Sequence, residues 1–243
     1  MSAILYTLIM THITMACVCI YLHRGISHNT IEFHPILQHF CRFWLWMTDG
    51  VHVREWVATH RQHHRYTDLP GDPHSPHIEG INTIVFKTFI PACWYRYRNF
   101  KPKHIVDMYS KGIPDDWVER NVYVRYQRLG LLIMLWIDIM LFGATTGIII
   151  WLIQMIWTPL WSGSIVTGYG HWIGYRNKNN RPTDLSTNLV PWGIIVVGDE
   201  LHSNHHARPN DPNLRHRWFE FDLGFVYIKL FETLGLLKIK ANK

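Results

Sequence analysis

The chain has 243 residues, enough for one domain or two small ones, and only 17% of them are charged while 14% are aromatic. Twelve Trp, eleven Tyr and eleven Phe with so few charges argue against an ordinary soluble domain and suit a membrane interface, where rings lie between tails and head groups. The net charge of +6 comes from basic residues spread among aromatics without a nucleic-acid motif, so it reads as membrane topology and not as nucleic-acid binding.

Residues 3–22 carry no charge and are about long enough to span a bilayer as helix. No Lys or Arg precedes them and no cleavage site follows, so they read as a retained anchor and not a signal peptide. His23 and His28 come next. They are five apart, roughly 140° around an ideal helix. They converge only where the helix ends or bends, which Gly25 permits. The pair is therefore expected where the first span leaves the membrane.

Residues 36–57 are aromatic but include Arg42, Asp49, Arg54 and Glu55, which predicts an amphipathic or re-entrant helix at the interface. His60, His63 and His64 follow, then a Pro/Gly/Asp loop over 66–80. Residues 95–118 read as polar and irregular, with a basic cluster at Arg96, Arg98, Lys101 and Lys103. Residues 129–166 hold a single charge, Asp138, and predict two spans, about 126–143 and 146–165, with a tight turn over Gly143–Gly147. Asp138 is expected to pack or hydrogen-bond within its span. His171 follows the last span, 174–190 is a polar connection, and His202, His205 and His206 come after it. The tail, 218–243, alternates apolar and charged positions like a helix lying on a surface. Cys17, Cys19, Cys41 and Cys93 form no CxxC pair and read as buried thiols.

All 24 Lys and Arg lie in residues 23–128 and 176–243. The positive-inside rule makes that side cytoplasmic. The predicted fold is an all-α integral membrane protein: one domain over 1–243, with three transmembrane helices and interfacial helices under a cytoplasmic, histidine-rich cap (23–125 and 166–243).

Nine of the 17 histidines fall into spaced sets. In a helix, positions i, i+3 and i+4 share a face. Each HxxHH triplet could thus offer three imidazoles to one centre. Imidazole suits iron, zinc and copper. Nine are too many for one ion and fit two of four or five ligands each. A structural zinc site would usually recruit Cys, and these sets contain none. An HxxxxH pair or one HxxHH triplet alone would fit an adventitious surface cluster; the whole set points to an O₂-activating di-iron centre. Asp68, Asp72, Asp199 and Glu200 are candidates to orient the ligating rings. The other eight, His12, His34, His39, His52, His74, His77, His104 and His216, read as structural or interfacial.

The strings HRGISH (23–28), EWVATHRQHHRYTD (55–68), DPHSP (72–76), GHWIGYRN (170–177) and GDELHSNHHARP (198–209) resemble, in order, the membrane fatty acid desaturases. They are similar to the stearoyl-CoA desaturase group and closest to bacterial acyl-CoA desaturases. The resemblance implies a helical hairpin under a cytoplasmic cap with two irons. It implies O₂-dependent removal of two hydrogens from adjacent methylenes of a long acyl chain, with electrons from a separate small redox protein such as a ferredoxin. It makes His23, His28, His60, His63, His64, His171, His202, His205 and His206 the iron ligands. Three departures stand out. Thr167 occupies a position where the family usually has Asn holding a water near one iron. The family usually has another span before the first histidine pair, which would put this N-terminus outside. Asn29 stands where Arg is common. No cytochrome b5-like segment is expected in the chain, and the Arg96–Lys103 cluster could receive an acidic donor, a CoA phosphate or anionic lipid. A membrane di-iron hydroxylase and a non-catalytic metal-binding protein are the alternatives.

Overall fold

The computed structural model describes residues 2–87, 102–178 and 180–241. Cys93 and the basic residues Arg96, Arg98 and Lys101 lie outside the described residues.

Helix α1 (Ala3–Ala16) starts at Ser2, whose hydroxyl accepts the Leu5 N–H. It runs without a break into a π-helix, π1 (Cys17–Ser27), making 25 continuous residues. The first helix thus passes residue 22 and runs through Gly25 to Ser27, with His28 as its cap. A Cβ at Gly25 would lie 2.3 Å from the Phe33 ring, so that glycine serves close packing. Strand β1 (Ile31–Phe33) leads into α2 (Pro35–Thr48), opened by the His34 ring and by a Pro in its first turn. Gly50, at φ +58°, breaks the aromatic stretch, and α3 (Val53–Tyr66) begins beyond it. Thus 36–57 is not one interfacial helix but one helix and the start of another.

The stretch expected to be loop over 66–80 contains a short helix at its end, α4 (Pro76–Glu79), and α5 (Ile81–Lys87) follows. Lys103 opens α6 (Lys103–Tyr109), so the polar stretch expected to be irregular contains a helix. A short π-helix, π2 (Glu119–Val124), precedes the hairpin α7 (Gln127–Phe142) and α8 (Ala144–Thr158). Only Gly143, at φ +78°, lies between them. Gly147 is inside α8, where a Cβ would come within 2.5–2.6 Å of the α7 backbone at Asp138 and Ile139. The expected five-residue turn is therefore a single residue plus a close helix contact.

Pro159 cannot supply the next helical N–H, and α8 widens there into π3 (Pro159–Val166). A 3₁₀ turn over Tyr169–His171 ends this run. Among the described residues two helices are long and apolar enough to cross a membrane, Ala3–Ser27 and Ala144–His171. Helix α7 has 16 residues. That is about 24 Å of helix against a hydrocarbon core of about 30 Å, shorter than the span expected over 126–143.

Tyr6, Trp46, Met47, Met134 and Ile150 form one buried cluster joining α1, α2 and the hairpin. Within it the Tyr6 hydroxyl donates to Asp138 at 2.8 Å, the hydrogen-bonding role expected of that carboxylate. Ile4, Leu5, Leu8 and Ile9 on α1, and Leu132, Trp136 and Met140 on α7, face outward. An apolar exterior of this kind is what a membrane protein presents to lipid.

After His171 the chain is mostly turns, with β2 (Trp192–Gly193), α9 (His202–Ala207), β3 (Phe221–Asp222), α10 (Leu223–Thr233) and β4 (Leu237–Ile239). β4 pairs antiparallel with β1 in the register Ile31↔Ile239, and β2 pairs parallel with β3. The surface helix expected in the tail is α10; its Tyr227 hydroxyl meets the His12 ring at 2.9 Å. Arg24, 1% exposed, anchors this segment to the first helix. Its guanidinium donates to both Asp222 oxygens, at 2.9 and 3.0 Å, and to the Pro212 carbonyl at 2.9 Å.

Candidate metal centres

All nine predicted histidines come together, but not as expected. Each HxxHH triplet is divided. His23, His28, His60, His64 and His205 form one group, and His63, His171, His202 and His206 another; in each, one ring nitrogen per residue lies within 4.8 Å of the others. Helical geometry explains the division. His60 and His64, i and i+4, lie on one stripe of α3, and His63 lies about 100° from His64. On α9, His202 and His206 turn to the second group and His205 to the first. Two helices facing each other thus supply both centres.

The first pair converges for a different reason. In a π-helix the backbone bonds run from i to i+5, which stacks residues five apart. The His28 N–H bonds the His23 carbonyl at 3.3 Å, and the Ser27 hydroxyl donates to the Leu22 carbonyl at 2.8 Å. The HxxxxH spacing therefore matches the helix type. Arg61 holds the end of π1 to α3. Its guanidinium donates to the carbonyls of Ile26, Ser27, Tyr109 and Lys111 at 2.7–2.9 Å.

Helix α9 has six residues, too short to persist alone. Asn204 fixes it. Its N–H donates to Asn188 Oδ1 at 3.0 Å, its Oδ1 accepts from Asn188 at 3.0 Å, and its amide donates to the Leu214 carbonyl and Glu220 at 2.9 Å.

Four rings are oriented by carboxylates, all through Nδ1: His23 by Asp199 at 3.0 Å, His63 by Asp72 at 2.9 Å, His171 by Asp68 at 2.8 Å, and His206 by Asp184 at 3.1 Å. Three of the four expected carboxylates thus hold a ring. Glu200 does not. It accepts the N–H groups of Ile195, Val196 and Gly198 at 2.7–3.1 Å and ties down the turn that carries Asp199. Val197 in that turn has φ +55°, a strained setting for a β-branched residue. Asp184 was not expected, because it lies in the polar connection, 18 residues before the nearest HxxHH set. Its residue type was the only signal. His74 and His77 also approach the second group. The His74 ring centroid is 4.3 Å from that of His63, and His77 Nε2 donates to the His171 carbonyl at 2.7 Å.

A carboxylate on Nδ1 places the ring proton there and leaves Nε2 as a bare lone pair. Nε2 of His23 meets that of His205 at 2.9 Å, and Nε2 of His171 meets that of His202 at 2.9 Å; in the third pair, His63 and His206 at 3.3 Å, carboxylates meet both Nδ1 atoms and both Nε2 lone pairs are bare. Two lone pairs at this range repel unless a cation lies between them. Burial, then the charge of neighbouring imidazoles, holds His28, His60, His64, His202, His205 and His206 well below the usual histidine range, which favours the neutral ligand form. Burial alone would raise the Asp68 and Asp199 carboxyls. Hydrogen bonds and charge from His171 and His23 instead carry them below the ordinary carboxylate range. The two groups have the donor set of two metal centres.

A cavity of 160 Å³ touches both groups, lined by His23 and His60 of the first and His202 of the second, with Trp56, Thr59, Ile84, Pro159, Val166 and Thr167. The Trp56 ring stacks on His60 at 5.3 Å between centroids. Thr167 lines this cavity, and its hydroxyl donates to the Gly163 carbonyl.

These features define a helical membrane protein with two buried imidazole clusters able to hold metal, opening on one apolar cavity. The fatty acid desaturase family model matches residues 1–224, and the chain belongs to that family, acting as a fatty acyl desaturase. It is 27% identical over 233 residues to the hex-5-enoyl-[acyl-carrier protein] acetylenase of Moorena producens, covering 89% of this chain and 70% of the relative. It is 28% identical over 231 residues to the acyl-CoA C20 Delta5-desaturase of Anemone leveillei, covering 88% and 65%. It is 27% identical over 220 residues to the sn-1 stearoyl-lipid 9-desaturase of Anabaena variabilis, covering 88% and 74%. The chain therefore spans about two thirds to three quarters of the length of these relatives.

Proposed function

We propose that the chain introduces one cis double bond into a long acyl chain, carried on CoA or in a lipid, using O₂ and two electrons from a separate small redox protein such as a ferredoxin. The observation that carries the metal reading is the gathering of nine histidines into two groups, with one ring nitrogen of each within 4.8 Å of the others in its group. In this reading His23, His28, His60, His64 and His205 hold one iron, and His63, His171, His202 and His206 the other. The two irons, when bound, supply the oxidant that an unactivated C–H bond requires.

The chain's own residues do the rest. Asp68, Asp72, Asp184 and Asp199 hold four rings by Nδ1 and aim them through Nε2. The apolar cavity holds two adjacent methylenes beside both groups, and Trp56, stacked on His60, covers one face of that ring. Burial of the rings excludes bulk water from the reacting carbon. The overall balance is –CH₂–CH₂– plus O₂, two electrons and two protons, giving –CH=CH– and two waters. The chain crosses the membrane more than once, with the histidine-bearing segments on the cytoplasmic side, as the distribution of Lys and Arg supports.

The test is the fatty acid profile of a bacterial host without an aerobic desaturase, expressing this chain with a redox donor. Gas chromatography and mass spectrometry should show new monounsaturated chains that depend on oxygen and disappear in His205→Ala. Hydroxylated chains in their place would make the protein a monooxygenase. An unchanged profile with iron-loaded protein would refute desaturation of the host's acyl chains.

A further inference from the structure

The proposed reaction draws its electrons from a separate redox protein, and one surface beside α9 has the features of a docking face. Lys178, Arg208, Arg215 and Arg217 are exposed, and none of them forms an ion pair among the described residues. Burial, followed by the charges of Lys178 and Arg208, lowers the His216 pKa. Both His216 ring nitrogens are buried without a hydrogen-bond partner. Asp211 also faces this ring, but it is half-buried and accepts the Asn213 N–H at 2.9 Å. The Arg217 guanidinium reaches the Asn177 carbonyl at 3.4 Å.

Among these cations stands Trp218, 88% exposed, with Phe219, 45% exposed, beside it. An exposed Trp rimmed by Arg is the composition of a protein-recognition hot spot. The floor of the face is polar. Glu220, 2% exposed, accepts from the Tyr175 hydroxyl at 2.8 Å, the Asn204 amide at 2.9 Å, the Asn177 amide, and the His216 and Arg217 N–H groups at 2.7 and 2.8 Å. A floor of amides and a carboxylate favours a hydrated protein partner over lipid tails. It also links the face to the metal-site helix, since Asn204 is covalently adjacent to His205 and Arg208 lies two residues past His206.

We infer that Lys178, Arg208, Arg215, Arg217 and Trp218 form the docking face for a small redox protein with a carboxylate-rich surface. This rests on the desaturase reading for its need of electrons, but the binding it predicts is measured separately. Cations on the rim steer a negatively charged partner and speed its association. Trp218 supplies the desolvated contact, and bonded routes inward run from Arg208 through Ala207 to His206 and through Glu220 and Asn204 to His205.

The test uses the iron-loaded full chain in phosphatidylcholine nanodiscs, with a [2Fe–2S] ferredoxin and the soluble domain of cytochrome b5 as acidic probes. Biolayer interferometry should show binding of at least one probe that weakens with salt. Arg215→Glu with Arg217→Glu should slow that association about tenfold, and Trp218→Ala should speed its dissociation. Iron content, and turnover driven by dithionite with a small mediator, should stay as in the wild type. No binding of either probe by the wild type overturns the proposal. So does unchanged binding in both variants, or an effect seen only when anionic lipid is added, which would make the face a membrane contact. Failure of desaturation in the host assay leaves this binding result standing, so the two readings fail separately.

Discussion

A carboxylate on Nδ1 decides what a buried imidazole offers through Nε2. Asp184 does this for His206 from a segment remote in sequence. Asp184→Asn should lower iron affinity about 10- to 100-fold with the protein still folded, read as iron retained after dialysis against a chelator. His63 and His64 are chain neighbours that belong to different groups. His63→Ala and His64→Ala should each reduce iron to about one ion per chain, and the double variant should bind almost none. Mössbauer spectra of the two single variants should differ, because different centres survive. Identical spectra would mean that the triplets are not divided.

At the scale of elements, the first helix shows how a spacing can be legible while its geometry is not. The string HRGISH announces two ligands, but an α-helix turns them roughly 140° apart. The π1 backbone resolves this by i to i+5 bonding, and the packing of β1 and α3 around it holds that form. Gly25 leaves room for the Phe33 ring. Gly25→Ala should therefore destabilise the protein by about 1–3 kcal/mol through overpacking, measured by thermal unfolding in detergent. Adding Phe33→Leu should recover part of that loss; no recovery would point instead to the hinge role first expected of the glycine. Helix α9 needs Asn204 for the same kind of reason, and Asn204→Ala should loosen His202, His205 and His206 together and lower the iron content of both centres.

For the whole molecule, two clusters of neutral imidazoles in a buried site couple folding to protonation. His28, His60, His64, His202, His205 and His206 titrate below the unfolded value of about 6.5. Below that value the unfolded chain binds more protons than the folded one, so their contribution is present above about pH 6.5 and is lost as the pH falls. Asp68 and Asp199 are depressed relative to unfolded carboxyls, and their contribution holds above about pH 4 and disappears below it. Metal-stripped protein should melt at a lower temperature at about pH 5.5 than at about pH 7.5, and iron should narrow that difference. A melting temperature independent of pH across that interval would contradict the neutral assignment.

What the sequence determined by itself was the chemistry: nine imidazoles at helical spacings, no thiolate among them, set at the ends of uncharged runs long enough for a bilayer. Local periodicity and composition suffice for that, because spacing along a helix and the absence of charge are properties of the chain. Asp68, Asp72 and Asp199 could also be nominated, since they lie close in sequence to the histidines. Tertiary structure alone decided the division into five and four, the choice of Asp184, and the conversion of Glu200 from ring partner to turn clamp. Each depends on which face of one helix meets another, and on where a distant loop packs. The same holds for the bounds of α7, where Gly143 sets one end and the turn after π2 the other.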